Sequence, residues 1–473
     1  MHTLFAQFTD IHGTAKGKLV PLTHIESLLL PGAGFAGPSI WGTGLPRTGV
    51  DSEYYGRADL NTIQPMPWLP GYARVVLNGY VAGKPFALCP RQILRKQVAR
   101  LNERGWTLNC GLEPEFFLLQ KSVDANTKDR GRSSACRMTG NGGMDGAAGF
   151  LAGHAANHTA GYAANHAPDP GDNLPKPSYD LKSLLRQRAF IEQLTQSLNA
   201  CGLDVFQIDH EDASGQFEIN YHYADALLAA DRLMLFKIAA RHIAEEQGLL
   251  FSMMPKPFAN KPGSGLHFHL SLADAAGVHL MQDGQIDGEG DPYGLGLSRT
   301  GYQFLAGLLV HAPALTALCA PTVNSYKRLL CAESLSGTSW APSTIAYGDN
   351  NRTTVARVVA QRIEWRLPDS AANPYLALAG VIAAGLDGIE RELDPGVPLN
   401  QDVYEMSAQA RQHLPLLPQN LGLACDALAA DSILANALGS SFVGQFVLLK
   451  RAEWAEYSQQ VSQWEWERYL DWF

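Results

Sequence analysis

Four separated segments of the chain alternate apolar and polar residues with a period of two, and each gathers ionisable side chains on one face. This alternation indicates half-buried β-strands, because successive side chains of a strand point to opposite faces. The segments are GLEPEFF from Gly111, GQFEINY from Gly215, GSGLHFHLS from Gly263 and RIEWRL from Arg362. We expect the polar faces of these four strands to line one cavity.

The polar faces of the four segments carry mainly carboxylates. They are Glu113 and Glu115 in the first segment, Glu218 in the second with Glu211 before its turn at Gly215, His267, His269 and Ser271 in the third, and Glu364 and Arg366 in the fourth. Glutamates crowded in a low-dielectric cavity repel one another unless hard cations neutralise them. A carboxylate-rich set with one imidazole favours Mg²⁺ or Mn²⁺ over structural zinc.

Several arginines follow these strands, and they complement such a cation site. Divalent cations bridge phosphate oxygens during phosphoryl transfer, and a guanidinium group binds two oxygens of a phosphate or carboxylate at once. The downstream arginines are Arg328, Arg352, Arg357, Arg362 and Arg366. A single ExE strand is more often a solvated face, and a single HxH pair is more often structural. Their conjunction indicates a site that handles phosphate and carboxylate groups.

Charge and cysteine usage exclude several classes of function. The net charge is -9 and the lysines and arginines are dispersed, which argues against an extended nucleic-acid surface. Seven cysteines without a CxxC pair argue against a disulfide framework and suit a reducing cytoplasm. The N-terminus lacks the pattern of a signal peptide, and the most apolar stretch contains His311 and Pro313. We expect a cytoplasmic protein without a membrane span.

The chain has 473 residues, 46% of them hydrophobic, which is enough for two domains. Residues 1–85 combine short apolar runs with Gly and Pro turns and predict a small β-rich domain. Residues 86–473 mix strands and long helices without a regular βαβ order, so the expected fold class is α+β. The predicted helices are Pro90 to about Gly105, Leu181 to Ala200, Asp225 to Gln247, Tyr302 to Leu318, Pro374 to Leu393 and Gly444 to Val461.

Residues 136–177 form an insertion rich in Gly, Ala and His within the second predicted domain. Two copies of Ala-Ala-Asn-His end at His158 and His166, and with His154 they suggest a metal-binding loop as one interpretation. The favoured interpretation is a flexible surface insertion, because its small residues cannot form a core.

Six motifs, in one order along nearly the whole chain, resemble those of the glutamine synthetase family. They are GLEPEFF, HEDASGQFEI, KPGSGLHFH, PTVNSYKRL, NNRT and RIEWRLPDSAANPYLALAG. The resemblance implies an N-terminal β-grasp-like domain, a catalytic domain with an antiparallel β funnel surrounded by helices, and a homo-oligomer of two stacked rings with active sites between subunits. It also implies a ligase that uses ATP to convert the γ-carboxylate of glutamate to a γ-glutamyl phosphate, which an amine then captures.

The resemblance assigns roles to individual residues of this chain. It implies Glu115, Glu211 and Glu218 as ligands of one divalent ion and Glu113, His267 and Glu364 as ligands of a second, with two or three Mg²⁺ or Mn²⁺ ions per site. Arg328, Arg366 and the Gly263 backbone match the glutamate-binding positions. Arg352, Arg357 and Arg362 match groups that handle ATP phosphates and the acyl phosphate, and Tyr223, His269 and Ser271 match nucleotide contacts. Of these, Arg328 and Arg352 are predicted to act on the reacting groups.

The chain departs from the family pattern around the second substrate. Ammonia-specific members carry an acid before Ala-Pro, where this chain has Trp340. Tryptophan accepts no proton, but it offers a cation–π contact or an apolar wall for an alkyl or aryl group. A further acidic position aligns with Gln64, whereas Glu53 preserves another, and Glu333 is a candidate for the missing base. These changes resemble the branch that makes γ-glutamyl amides such as γ-glutamylmethylamide.

Three alternatives stay open at this point. The nitrogen donor is ammonia rather than an amine, the acid is one other than glutamate, or the chain is a non-catalytic structural protein on the same fold. The last is disfavoured, because a scaffold gains nothing from many like-facing carboxylates and arginines whose burial needs compensation.

Overall fold

The structure is a computed structural model that describes residues 1–121, 166–282, 291–329 and 340–473. Most of the predicted insertion at 136–177, including His154 and His158, lies outside the described residues, as does Glu333.

The N-terminal region is a six-stranded sheet with strand order β2-β1-β5-β4-β3 and with β6 paired to β5. The strands are β1 (Thr3–Thr9), β2 (Ala15–Pro21), β3 (Ala33–Ala36), β4 (Glu53–Pro65), β5 (Tyr72–Val81) and β6 (Lys84–Pro85). Strands β1 and β5 are parallel, and the other pairs are antiparallel. This sheet has its own hydrophobic core, which includes Leu4, Phe8, Tyr54 and Leu77. The boundary predicted at residue 85 falls directly after β6.

A second sheet of ten strands carries the four motif segments. Its main path is β14-β15-β16-β13-β7-β10-β9, and β8, β11 and β12 also pair with β7. The strands are β7 (Trp106–Lys121), β8 (His166–Ala167), β9 (Val205–His210), β10 (Gln216–Tyr221), β11 (Ala224–Asp225), β12 (Leu250–Ser252), β13 (Leu266–Asp274), β14 (Tyr347–Asp349), β15 (Ala356–Val359) and β16 (Arg362–Trp365). The mixed α+β fold predicted from the sequence is confirmed.

The described residues form thirteen α-helices, most of which pack on the second sheet or on one another. They are α1 (Pro90–Asn102), α2 (Leu181–Arg186), α3 (Arg188–Ala200), α4 (Ala226–Glu246), α5 (Arg299–Val310), α6 (Ala312–Cys319), α7 (Ser325–Leu329), α8 (Pro374–Glu390), α9 (Ala408–Arg411), α10 (Leu421–Ala430), α11 (Ser432–Leu438), α12 (Ser440–Ser458) and α13 (Gln463–Tyr469). Phe116, Phe217, Phe268 and Trp365, one from each motif strand, are each at most 1% exposed. Because successive side chains of a strand point to opposite faces, burial of these aromatic residues directs the neighbouring polar side chains to the other face of the sheet.

Two helices that the sequence predicts as continuous are each broken in the structure. The helix predicted over Leu181–Ala200 is interrupted at Gln187, so α2 and α3 are separate. The helix predicted over Tyr302–Leu318 ends at His311, because Pro313 lacks a backbone N–H and occupies the first turn of α6.

No single described helix is long and apolar enough to cross a membrane. Two pairs, α5 with α6 and α10 with α11, reach that length only when counted across bends of 74° and 81°.

Helix α8 is almost fully buried and packs against α5 at close range. A Cβ atom on Gly307 of α5 would lie 2.1 Å from the carbonyl oxygen of Ala384, and one on Gly388 of α8 would lie 2.1 Å from that of Gln303. Glycine at both positions therefore lets the two backbones approach.

Candidate active site

The polar faces of the four motif strands meet because β10, β7, β13 and β16 are neighbours in the sheet. Residues directly opposite each other on adjacent strands have Cβ atoms about 5 Å apart. The facing pairs are Glu113 with His267, Glu115 with Glu218, and His269 with Glu364. The predicted convergence of these strands on one site is therefore a consequence of the register.

In the part of the chain that the structure describes, two groups of three side chains bring potential ligand atoms within 4.8 Å of one another. They are Glu113, His267 and Glu364, and Glu115, Glu218 and His267. His267 Nδ1 lies 3.9 Å from Glu113 Oε2 and 3.7 Å from Glu364 Oε1. The first group is the set that the resemblance implies for one divalent ion. The second group holds two of the three residues implied for the other ion.

Glu211, the remaining residue of that second set, lies beside these carboxylates. Burial raises the pKa of Glu211 to about 8, and the charges of Glu115 and Asp212 add to the shift. Burial also raises the pKa of Glu218 well above its ordinary value, with further contributions from Glu113 and Glu211. Crowded acids favour their charged forms only when a cation binds them, so this donor set fits Mg²⁺ or Mn²⁺.

Glu113 and Glu364 lie closer to positive and hydrogen-bonding groups. Burial opposes the ionisation of Glu113, but the nearby imidazoles of His267 and His269, the latter with Nε2 2.8 Å from Glu113 Oε1, outweigh it and lower its pKa. Burial likewise opposes the ionisation of Glu364, whereas the charges of Arg366 and His267 lower its pKa. These two carboxylates are therefore already ionised at neutral pH.

Two of the predicted arginines contact Glu364, and a third is bonded to the backbone that follows β16. Arg357 and Arg366 both donate hydrogen bonds to the Glu364 carboxylate. Arg328 is buried and donates to the carbonyl oxygens of Arg366 and Leu367, each at 3.2 Å. Buried guanidinium groups fixed in this way form a preorganised site for anionic oxygens.

The residues predicted to contact the nucleotide lie around Gly111 of β7. Gly111 is next to two of them: a Cβ atom at Gly111 would lie 3.7 Å from the Cβ atom of Tyr223 and 3.5 Å from that of His269. Tyr223 is 64% exposed. Arg362 Nε donates to His269 Nδ1 at 2.9 Å, and Ser271 follows two residues later on β13.

A cavity of about 450 Å³, measured with its open mouth, adjoins the carboxylate cluster. The described residues that line it are Glu115, Glu211, Asp212, Gln216, Lys256, Pro262, Gly263, His267, Arg328, Trp340, Ala341 and Arg366. The predicted glutamate-binding residues Gly263, Arg328 and Arg366 thus share one cavity with the predicted amine-site residue Trp340.

Trp340 is held at both its backbone and its side chain. Its carbonyl oxygen accepts a hydrogen bond from Arg366 Nη2 at 3.1 Å, and its Nε1 donates to Asp212 Oδ2 at 2.9 Å. The side chain is nonetheless half-exposed, at 45%. The indole therefore borders the cavity beside the predicted glutamate site.

Three predicted site residues lie elsewhere in this chain. Arg352 is exposed between β14 and β15, and Glu53 and Gln64 lie on β4 of the N-terminal sheet. Cys201, at the end of α3, donates to the carbonyl oxygen of Pro65, the residue after Gln64, at 3.3 Å. None of the three is among the described residues that line the cavity.

Sequence reasoning missed three polar residues of the cavity. Gln216 Nε2 donates to Glu115 Oε2 at 2.9 Å and to the Gly263 carbonyl oxygen at 3.2 Å. The period of two places Gln216 on the same face of β10 as Glu218, so this residue was detectable. Lys256 and Asp212 lie outside the strands, where no periodicity identifies them.

Comparison with known proteins gives a consistent family assignment. The family model described as "Glutamine synthetase, catalytic domain" matches residues 87–469. The chain is 46% identical to a glutamate–methylamine ligase of Methyloversatilis universalis, over 99% of this chain and 96% of the relative. It is 35% identical to a glutamine synthetase of Rhizobium leguminosarum bv. phaseoli, over 98% and 95% of the two chains.

Solved structures agree with this assignment. A structure titled "GmaS/ADP complex-Conformation 1" has a TM-score of 0.83 and 39% identity, covering 100% of this chain and 97% of the other. A glutamine synthase homologue with 24% identity has a TM-score of 0.72, over 97% and 96% of the chains, and supports the fold alone.

Proposed function

The chain belongs to the glutamine synthetase family, and from that premise we propose that it joins the γ-carboxylate of glutamate to a small primary amine at the expense of ATP. The observation that carries the proposal is the higher identity, 46%, with a protein named for methylamine than with a glutamine synthetase, 35%, over nearly equal lengths. Ammonia as the nitrogen donor is the second candidate, because many relatives carry that name.

The chemistry divides into two displacements. A γ-carboxylate oxygen of glutamate bonds to the γ-phosphorus of ATP, the bond from that phosphorus to the bridging oxygen breaks, and ADP leaves with the electron pair. The amine nitrogen then bonds to the γ-carbonyl carbon, and phosphate leaves with the electrons of the C–O bond. An alkylammonium loses one proton before it attacks and a second as the amide forms.

The carboxylate cluster is the place for the divalent cations. Glu115, Glu211 and Glu218 would hold one ion, and Glu113, His267 and Glu364 would hold another, with Mg²⁺ or Mn²⁺ favoured by the oxygen-rich donor set. Bound there, such ions supply positive charge to the phosphate oxygens during transfer.

The arginines position the substrates in this proposal. Arg328 and Arg366, with the Gly263 backbone, bind glutamate in the cavity that they line. Arg352, Arg357 and Arg362 contact the transferred phosphoryl group and the ATP phosphates. His269 and Ser271 contact the nucleotide, and Tyr223 lies near its adenine. The exposed ring of Tyr223 offers a face on which adenine can stack.

We also propose a cytoplasmic homo-oligomer of two stacked rings with active sites between subunits. Glu53 and Gln64 would then reach the amine site of a neighbouring subunit. A patch of exposed aromatic residues at the C-terminus, Trp464, Trp466, Trp472 and Phe473, supports association, because large exposed apolar surfaces mark protein interfaces.

Phosphate release from ATP tests the proposed function. With saturating glutamate and Mg²⁺, we expect methylamine or another small primary amine to exceed ammonium by more than about tenfold in kcat/KM. Ethylamine, longer alkylamines, a polyamine and aniline measure the size limit, and aspartate in place of glutamate tests the acid. A preference for ammonium would make the protein a glutamine synthetase, and no glutamate-dependent release with any amine would contradict the ligase assignment.

A further inference from the structure

Asp212 is an acidic residue of the cavity to which sequence and family gave no role. It lies in the turn between β9 and β10, one residue after Glu211, and it is half-buried. It belongs to neither of the two groups of side chains that bring ligand atoms together. Its carboxylate instead accepts hydrogen bonds from the Ser178 hydroxyl and from the indole N–H of Trp340.

These hydrogen bonds fix the Asp212 carboxylate without neutralising it. Neither Ser178 nor Trp340 carries a charge, and no ion pair within 4 Å joins Asp212 to a cation in the described ranges. An ionised carboxylate has about four acceptor positions, and two are used here. The negative charge of Asp212 therefore remains available to a cationic ligand.

Asp212 is linked through Trp340 to Arg366 of the proposed glutamate site. Trp340, which donates to Asp212, accepts a hydrogen bond from Arg366 through its own carbonyl oxygen at 3.1 Å. Asp212, Trp340 and Arg366 line the same cavity. A ligand held between Asp212 and the indole would thus adjoin the place where Arg366 holds glutamate.

The chemistry of the second substrate matches these two side chains. A primary alkylamine arrives at neutral pH as a cation with one apolar end, whereas ammonium has no apolar part. Among the described residues, three carboxylates line the cavity, and Glu115 and Glu211 are assigned to the divalent cations, which leaves Asp212 for the amine. The half-exposed indole of Trp340 offers apolar surface and a π-face to the alkyl end.

We propose that Asp212 and Trp340 form the amine subsite, in which the carboxylate binds the ammonium group and the indole contacts its alkyl substituent. The inference rests on the proposed function and deepens it, because it names a specificity-determining residue and a ligand class, the short primary alkylammonium ions. The indole N–H also positions the carboxylate that binds the cation.

The test compares charged and uncharged nucleophiles in Asp212→Asn, which keeps the shape of the side chain and removes its charge. Hydroxylamine is largely uncharged at neutral pH and traps the acyl phosphate as a hydroxamate, whereas methylamine must first bind as a cation. We expect the ratio of kcat/KM for methylamine to that for hydroxylamine to fall by at least about tenfold, mainly through a higher KM for methylamine. Asp204→Asn, an exposed acid just before β9, is the matched control and keeps the wild-type ratio.

Trp340 variants separate its two contributions. Trp340→Ala removes the apolar wall, and we expect the preference for methylamine over ammonium to shrink by about fourfold, as one buried methyl group predicts. Trp340→Phe keeps an aromatic ring but loses the N–H group, so it retains more of that preference than Trp340→Ala does.

The results distinguish failure of the proposed amine subsite from failure of the proposed function. An unchanged methylamine-to-hydroxylamine ratio in Asp212→Asn, or an equal loss with both nucleophiles, would overturn the role of Asp212, the second result indicating a structural role. Failure of the proposed function is distinct, because the wild-type protein would then form no glutamate- and ATP-dependent hydroxamate at all.

Discussion

Acidic side chains are buried both in the cavity and among the helices behind the sheet, but their surroundings differ. In the helical layer, Asp231 accepts hydrogen bonds from Arg91 at 2.8 and 3.0 Å and from the Tyr375 hydroxyl at 2.6 Å. Asp387 and Asp431 lie on either side of His311, at 3.0 and 2.6 Å. Each of these acids lies within 4 Å of a basic side chain of the protein, Arg91, Arg391 or His311.

The acids of the cavity have different surroundings. Within the described residues, no ion pair closer than 4 Å joins Glu115, Glu211 or Glu218 to a lysine, arginine or histidine. Glu115 accepts from two neutral groups, the Gln216 side chain and the Gly265 backbone. Protein-paired acids stabilise the fold, whereas acids that face one another are held in place by the fold and require an external cation.

Glu218→Gln is the sharpest test of this contrast. Loss of one carboxylate from the cluster should lower kcat/KM by more than about 1,000-fold, roughly 4 kcal/mol in the activation barrier. In the presence of a chelator, the free energy of unfolding should not fall and is expected to rise by about 1 kcal/mol, because the buried side chain no longer has to take up a proton on folding. Steady-state kinetics and urea denaturation measure both effects, with the exposed Glu245→Gln as the control.

Asp231→Asn should give the reverse pattern. Arg91 is buried and loses its charged partner, so the free energy of unfolding should fall by about 3 kcal/mol. Urea denaturation measures the change, and the folded fraction should keep its kcat/KM. A destabilisation below about 0.5 kcal/mol, as expected of an exposed site, would remove the distinction between the two regions.

Mg²⁺ should stabilise the wild-type protein through the cavity. At 100 times its dissociation constant, a ligand that binds only the folded state adds about 2.7 kcal/mol to the free energy of unfolding. Thermal unfolding with and without Mg²⁺ measures this gain, which Glu218→Gln should reduce and Asp231→Asn should retain. An equal gain in wild type and Glu218→Gln would place the cation elsewhere.

The smallest expected effect is a pH dependence in the helical layer. Burial opposes protonation of His311, but hydrogen bonds to Asp431 and Asp387 outweigh it and raise its pKa above the ordinary value of 6.5. The contribution of protonated His311 to the free energy of unfolding is therefore fully present below pH 6.5, and it is lost as the pH rises through the raised pKa. The difference in unfolding free energy between wild type and His311→Gln should shrink by about 1.5 kcal/mol over that rise. A difference that grew with pH would contradict the assigned network.

The polar faces of the motif strands were predictable because a period of two is a local property of the sequence. Glu113, His267 and Glu364 each occupy an alternate position in a segment with bulky apolar neighbours, so the face was determined before the partner strands were known. The helix break at His311 was also detectable, because Pro313 follows it. The apolar pattern has a helical period on both sides of the break, however, and it therefore predicted one continuous helix.

Other features depend on contacts that no local pattern records. Asp212 and Trp340 are 128 residues apart, and neither lies in a periodic element, so their hydrogen bond appears only in the folded chain. The strand register that places Glu115 opposite Glu218 is likewise set by packing of the apolar faces. Sequence therefore indicated the type of site but not the contact between Asp212 and Trp340.

The number of Mn²⁺ ions bound per chain, measured from the electron paramagnetic resonance signal of free Mn²⁺, tests most directly whether the unpaired carboxylates form the cation site. We expect the wild-type protein to bind at least two ions, Glu218→Gln to bind fewer, and Glu245→Gln to match the wild type. A wild-type protein that bound no Mn²⁺, or a Glu218→Gln protein that bound the full number, would contradict the assignment.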